Sequence, residues 1–402
     1  MNDSKIYDVA VVGGGLSGIT FAHTVAKHGL EVLLLEKRDV LGGCVHTINP
    51  YKDNYFAELG AHTIYSSYAA IIRLINACKL QGEIIPYKSA PYKMYANGHI
   101  SSMFRHIYPI EGFFSLFNIF TTKKRGLTVA EYYSKLLGKR NFADLIHPAT
   151  SAVICQNSAT FAADLLLKIR KKDKTYPRSF TINGGLGALL NTAANGKNIE
   201  LHTNADVVGI EKTTNGWDIK TASGAYSTKQ LALATEGRVA AELVAPVYQD
   251  MAKLLKALPS RASRAFNVSF AANKSNVKHF AYIIAKNASF TAIVSRDMLP
   301  DVQYRSATFH FKPDSNPAYD RQTADEVLEL KDRDYVTNTA HFELPHLGVS
   351  HHEWRRQLDT ELVKAHGFYL LGNYFDGLSM EDCALRAENE ALRAARAANI
   401  HI

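Results

Sequence analysis

The chain is 402 residues long, 47% hydrophobic and 21% charged, with a formal net charge of +8. This is ordinary for a globular enzyme and long enough for two closely packed domains with sizeable cores. The positive balance suits an anionic ligand, an acidic membrane surface or a merely solvated basic face; without an RRM, zinc-finger or basic-arm pattern, nucleic acid is not expected as a partner.

Four cysteines, at 44, 78, 155 and 383, make no C-x-x-C pair. The 16 histidines show no H-E-x-x-H spacing, and the adjacent His351 and His352 point to different sides of any helix or strand. Neither a disulfide framework nor a metal site is expected, and a reducing, cytoplasmic setting is. Met1–Lys5 is expected to be too short for a secretory or transit signal.

In chain order, Val9–Val12 is a short β-branched run that meets glycines at once, which reads as a buried parallel strand. Gly13, Gly15 and Gly18 then give G-x-G-x-x-G at the entry to a helix. Gly13 permits the tight turn, Gly15 lets a diphosphate approach the backbone, and Gly18 lets helix and strand pack closely. The free N–H groups and positive end of the helix dipole face the phosphates, through Leu16, Ser17 and Gly18. The helix runs to about Lys27 and stops at Gly29. A second apolar run, Val32–Leu35, ends in Glu36, where an acid binds the ribose hydroxyls of an adenosine.

A glycine pair, Gly42-Gly43, follows within R-D-V-L-G-G-C-V-H-T. This resembles the second glycine motif of the large FAD-containing superfamily of amine oxidases, phytoene desaturases, UDP-galactopyranose mutases and protoporphyrinogen oxidases. In that family an Arg usually follows the glycines; here Cys44 takes its place. The E-L-G-A-H segment within Asn54–Ser67 is similar to the family's third landmark, where Gly60 and its neighbours Ala61 and His62 pass close to the flavin. A helix over Tyr68–Lys79 is expected to present Ile71, Ile72 and Ile75 on one face.

From about Leu80 the pattern changes. Tyr92–Tyr95 and His99–Met103 read as antiparallel strands around Gly98. The stretch Ile107–Phe120 mixes aromatics with Pro109, Glu111 and Gly112 and leads to Lys123-Lys124-Arg125. It reads first as a helix with a buried apolar face and second as a peripheral contact with anionic lipid; it cannot span a bilayer. Helices are expected over Leu127–Leu137 and over Asn141–Ile146, the latter ending before Pro148.

At Phe180 the first domain resumes. Ile182–Gly187 leads into a helix over Ala188–Ala194, similar to the family's G-G-x-x-x-L motif. Strands follow at Ile199–His202 and Asp206–Lys212, then a β-meander of Asp218–Lys220 with Ala225–Ser227, then a separate buried strand, Leu231–Ala234. The resemblance implies that Val207 touches the adenine through its backbone and that Thr235 faces the cofactor. Arg264–Ala271, Phe280–Ile284, Thr291–Val294 and Ala307–Phe311 read as a mixed or antiparallel sheet walling a pocket. Ser350 is expected to cap a helix over His351–Lys364, with Glu353 completing a capping box.

Gly367–Leu371 is strand-like and runs into G-N-Y-F-D-G-L-S-M-E-D-C, residues 372–383, before an Ala- and Arg-rich helix. This stretch looks most like the protoporphyrinogen oxidase branch of the family. Asn141–Asp164, Phe280–Phe311 and Phe342–His351 resemble that branch loosely as well. The resemblance implies an α/β fold: a Rossmann-type FAD-binding domain (1–80, 179–240 and 362–402), a parallel sheet plus β-meander, interleaved with an α+β substrate domain (81–178 and 241–361). It implies FAD as cofactor, held also by Lys37, Arg38, Val45, Gly372, Asn373 and the backbone of Leu378, Ser379 and Met380. It implies hydride removal to the flavin N5 from a small hydrophobic or anionic substrate, a porphyrinogen above all, with O2 as the acceptor. Arg105, Arg140 and Arg178, with Lys171 and Lys172, are candidates for substrate propionates. A flavin amine oxidase and a non-redox enzyme like UDP-galactopyranose mutase are the alternatives; the C-terminal stretch lacks the amine oxidase A-G-E and aromatic-cage pattern.

Overall fold

A computed structural model describes residues 5–51, 55–299 and 301–400, the side chain of Leu116 excepted. Asn54, which opens the third landmark stretch, lies outside the described residues.

The first sheet has seven strands. In space they run Ile199–His202, Val32–Leu35, Ile6–Val12, Gly224–Leu233, Gly216–Thr221 and Val207–Thr213, with Phe368–Leu370 also on Gly224–Leu233. The strands at 199, 32, 6 and 368 join in parallel, and the meander is antiparallel. Val9, Val11, Leu33, Leu34 and Leu231 are fully buried, because helices cover both faces. Each such side chain contributes about 1.5–3 kcal/mol of burial. On one face lie the helices Leu16–Lys27, Ala69–Ala77, Leu186–Ala194 and Met380–Ala397. Ala384, Ala387, Ala391 and Ala394 form a buried stripe on the last of these, so it packs closely against the first.

The meander's return strand and the buried strand expected at Leu231–Ala234 are one strand, Gly224–Leu233. One edge of it carries Ile6–Val12 along its length. Its other edge carries Gly216–Thr221 and then, past residue 230, Phe368–Leu370. That change of neighbour sets the C-terminal strand one strand away from the N-terminal one, across Gly224–Leu233.

The second sheet also has seven strands: Tyr335–Pro345, Ser260–Ala271, Tyr304–Phe311, Phe290–Ser295, Tyr282–Lys286, Tyr92–Ala96 and His99–Ser102. Only the pairing of Tyr282–Lys286 with Tyr92–Ala96 is parallel, so the sheet is mixed. Its longest pairing uses Tyr335–Pro345, which sequence patterning misses because Thr337, Asn338, Thr339 and His341 make this edge strand read as polar loop.

Three local expectations fail. The helix expected to end before Pro148 continues through it: one π-turn, Phe142–Ile146, leads into His147–Ile154, where Pro148 sits in the first turn and needs no N–H partner. The Ser350 hydroxyl caps nothing, and Glu353 pairs with Arg356 and Gln357. A capping box does occur at Thr128 and Glu131. Finally, Ile107–Phe120 is not buried. It forms the short helix Pro109–Ser115 and the 3-10 turn Leu116–Phe120, with Ile110, Phe113, Phe114 and Phe120 exposed. Periodicity locates an apolar face but not the medium that covers it. Among the described residues no helix is long and apolar enough to cross a membrane.

Candidate active site

A crevice of about 340 Å³ opens where the first sheet's strand ends meet the edge of the second sheet. Ile6–Val12 delivers the chain to Gly13, whose φ is +110° and whose added Cβ would lie 2.6 Å from the Ala234 carbonyl oxygen. At Gly18 a Cβ would fall 2.0 Å from the Gly13 carbonyl, so Gly18 serves packing and does not line the crevice. Gly15 differs: the nearest atom to an added Cβ is 3.8 Å away, and its open side faces the crevice. The helix Leu16–Lys27 begins there without a side-chain cap or an acidic residue in its first turn. Its first N–H groups are thus available to an anion.

Glu36 is only 5% exposed and lines the crevice. It accepts from the amides of Gly14 at 2.7 Å and Arg38 at 3.0 Å, which straps the glycine loop to the second strand. A carboxylate has further lone pairs, so this strap leaves room for a ribose hydroxyl. Gly42 donates its N–H to the Gly14 carbonyl at 2.8 Å, joining the two glycine motifs. Lys37, Arg38, Gly43, Cys44, Val45 and Ala61 continue the wall.

Gly60 stands behind that wall. Its own Cβ would lie 2.0 Å from the Cys44 carbonyl oxygen, so its lack of a side chain lets the two segments touch. His62 is also set back, between the Gly60 carbonyl at 3.1 Å and the Tyr282 hydroxyl at 2.8 Å. Burial lowers its pKa, which keeps the imidazole neutral. Cys44 faces the crevice, where solvent reaches it; the protein mass around it, and then Glu236, push its thiol up to about 11. Burial pushes Cys383 up to about 12. Neither supplies a thiolate near neutral pH.

The far wall comes from the other end of the chain: Gly372, Asn373, Leu378, Met380 and Cys383. Ser379 turns away to cap the helix Met380–Ala397, accepting from the Asp382 amide at 3.1 Å and donating to the Asp382 carboxylate at 2.6 Å. Lys168 and Arg170 bind that carboxylate at 2.8 and 2.7 Å, so residues from the middle of the chain clamp the C-terminal loop. Val207 and Thr235 line the opposite end with Ala205, Asp206 and Glu236.

His341, Phe342 and Glu343 line the crevice too, and sequence reasoning misses them with their strand. The substrate cations fare worse. Arg105, Arg140 and Arg178 are exposed and none lines the crevice, because a basic residue in sequence carries no sign of the face it will occupy.

Residues 11–78 match the family described as NAD(P)-binding Rossmann-like domain. Over 71 residues the chain is 34% identical to UDP-galactopyranose mutase of Mycoplasma genitalium, covering 17% of this chain and 18% of that one. Over 80 residues it is 34% identical to the flavin-containing amine oxidase A of Canis lupus familiaris, covering 20% and 15%. The matched stretch thus spans less than a fifth of these curated relatives. Among solved structures, a protein assigned as a protoporphyrinogen oxidase from Exiguobacterium sp. 255-15 aligns with a TM-score of 0.80 at 16% identity, over 97% of this chain and 99% of that one. Cyclohexylamine oxidase from Brevibacterium oxydans IH-35A aligns at 0.71 and 14%, over 98% and 100%.

Fold and crevice together define a Rossmann-type dinucleotide-binding protein with a second sheet closing its site. The chain shares the fold of these oxidases, and the uncapped helix start, the bare Gly15 and the joined glycine motifs fit FAD.

Proposed function

We propose that the protein is an FAD-dependent oxidase or dehydrogenase of a hydrophobic, anionic substrate, a porphyrinogen above all, with O2 as the acceptor. One observation carries the reading: the N-terminal glycine loop and the C-terminal Gly372–Met380 loop line the same crevice. The full-length likeness in fold to the Exiguobacterium protein supports the porphyrinogen class. Residues 1–80, 179–240 and 362–402 form the cofactor domain in this reading, and 81–178 and 241–361 the substrate domain. The reading also includes a cytoplasmic protein that touches membranes peripherally.

FAD held in the crevice would supply the hydride-accepting chemistry. The chain's own residues bind and shield. Amides at the start of the helix Leu16–Lys27 hold the diphosphate, Glu36 and the backbone at Val207 hold the adenosine, and the amides of Leu378–Met380 stabilise charge on the ring. Leu378, Met380 and Phe342 exclude water where the ring binds. Cys44, whose thiol stays protonated, acts as a small apolar wall.

The test is anaerobic mixing of the flavin-loaded protein with a porphyrinogen, a polyamine and UDP-galactopyranose in turn. Rapid bleaching by the porphyrinogen alone is expected. Bleaching by the amine alone, or turnover of the sugar nucleotide only after prior reduction, overturns the reading in favour of those alternatives.

A further inference from the structure

The helix Pro109–Ser115 is built inside out. Its exposed residues are apolar, Ile110, Phe113 and Phe114, while Glu111, Gly112 and Ser115 are the half-buried ones. Polar contacts hold it to the protein. Glu111 accepts from the Arg140 amide at 3.1 Å, and Asn141 bonds both the N–H and the carbonyl of Tyr108. Past the helix, the Asn118 amide donates to the Lys135 carbonyl at 2.8 Å. The aromatic side is left outward: Phe104, Ile110, Phe113, Phe114, Phe117 and Phe120 are 62–88% exposed. Phe113 packs edge-on against Phe114 and Phe117, so these rings form one ridge. Isolated exposed apolar residues are normal, but a contiguous aromatic ridge marks a contact surface.

Charge says what kind of contact. Residues 81–178 hold 15 Lys and Arg against six Asp and Glu, whereas the rest of the chain holds 31 against 32. The whole positive balance of the protein therefore sits in the segment that carries the ridge. Lys123 and Arg125 are exposed directly after it, and neither makes an ion pair among the described residues. Lys124 donates to the carbonyls of Leu166 and Leu167, which brings a second exposed apolar residue, Ile169, 99% exposed, alongside, with Lys171, Lys172 and Lys174 exposed beyond it.

We propose that this ridge docks the protein on an anionic lipid bilayer, the phenylalanines entering the headgroup–acyl boundary and the flanking cations meeting lipid phosphates. A second copy of this chain is the weaker occupant, because two such faces would bring like charges together. Aromatic side chains with cations at their border are the composition that binds at a charged interface. The inference makes the peripheral membrane contact specific, and it rests on the surface alone: it holds whether or not the flavin chemistry is as proposed.

The experiment is flotation of the full chain with vesicles of phosphatidylcholine alone and of phosphatidylcholine mixed with phosphatidylglycerol, scored by protein and not by flavin colour. Binding to the mixed vesicles that weakens with added salt is expected. The joint variant Phe113→Ser, Phe114→Ser, Phe117→Ser should lower the bound fraction at least about tenfold with an unchanged melting temperature, since these side chains support no core. The pair Lys123→Glu, Arg125→Glu should remove the preference for the anionic vesicles. The proposal is overturned if the natural protein stays with neither vesicle, if the phenylalanine variant binds as before, or if that variant instead abolishes a dimer seen by light scattering in a protein that ignores vesicles.

Discussion

Asp382 offers the sharpest test of how the C-terminal loop is held. Its carboxylate is 8% exposed and accepts from Lys168, Arg170 and the Ser379 hydroxyl, in the first turn of the helix Met380–Ala397. Asp382→Asn keeps the shape and removes the charge. Breaking a fully buried ion pair by removing one partner costs about 3–5 kcal/mol. Here the cations retain 26% and 20% exposure and can rehydrate, so about 2–3 kcal/mol is the reasoned loss, including a few tenths from the helix dipole. That is a fall of several degrees in melting temperature for a chain of this length. The same change loosens Gly372–Ser379, whose Gly377 would place a Cβ 2.5 Å from an Asp382 oxygen, so flavin affinity should fall about tenfold, worth about 1.4 kcal/mol. Thermal unfolding with and without added FAD, and flavin fluorescence titration, measure both quantities. A variant that melts within a degree of the natural protein and binds FAD equally well refutes the clamp.

Gly15→Ala meets no atom closer than 3.8 Å at an ordinary φ of −81°, so the protein should fold with unchanged apo stability yet lose FAD affinity at least about tenfold. Normal binding by this variant would remove the diphosphate from Gly15. Gly18→Ala is the contrasting case: its Cβ would lie 2.0 Å from backbone, so circular dichroism melts should show lower stability even without flavin. Burial raises the Glu58 carboxyl from its ordinary value of 4.5 to about 7, opposed by hydrogen bonds from the Leu186 amide and Thr47. The folded pKa exceeds the unfolded one, so the protonated acid favours the folded state and this contribution to stability declines as pH rises from about 4.5 to about 7. Urea midpoints should show that decline in the natural protein and a flatter profile in Glu58→Gln; identical profiles would mean Glu58 does not titrate in this window.

The sequence by itself determined the local units. Strand, glycine loop, helix, strand and Glu36 were legible from Tyr7 onward because the loop obeys local rules, Gly18 answering to Gly13 five residues away. The C-terminal repeat of that pattern was legible for the same reason, and Ser379 at the head of its helix obeys local capping rules. The tertiary structure decided what no local rule contains. Gly224–Leu233 changes partner midway and so sets residues 12 and 370 on either side of residue 233; Asp382 recruits Lys168 and Arg170 from more than 200 residues upstream; Tyr335–Pro345 becomes a strand only because Ser260–Ala271 offers it an edge. The aromatic residues after Ile107 are the clearest division. Their spacing was visible, but which side of a short helix faces the protein is set by Glu111, Asn118 and Asn141 finding distant backbone partners, and those partners exist only once the chain has folded.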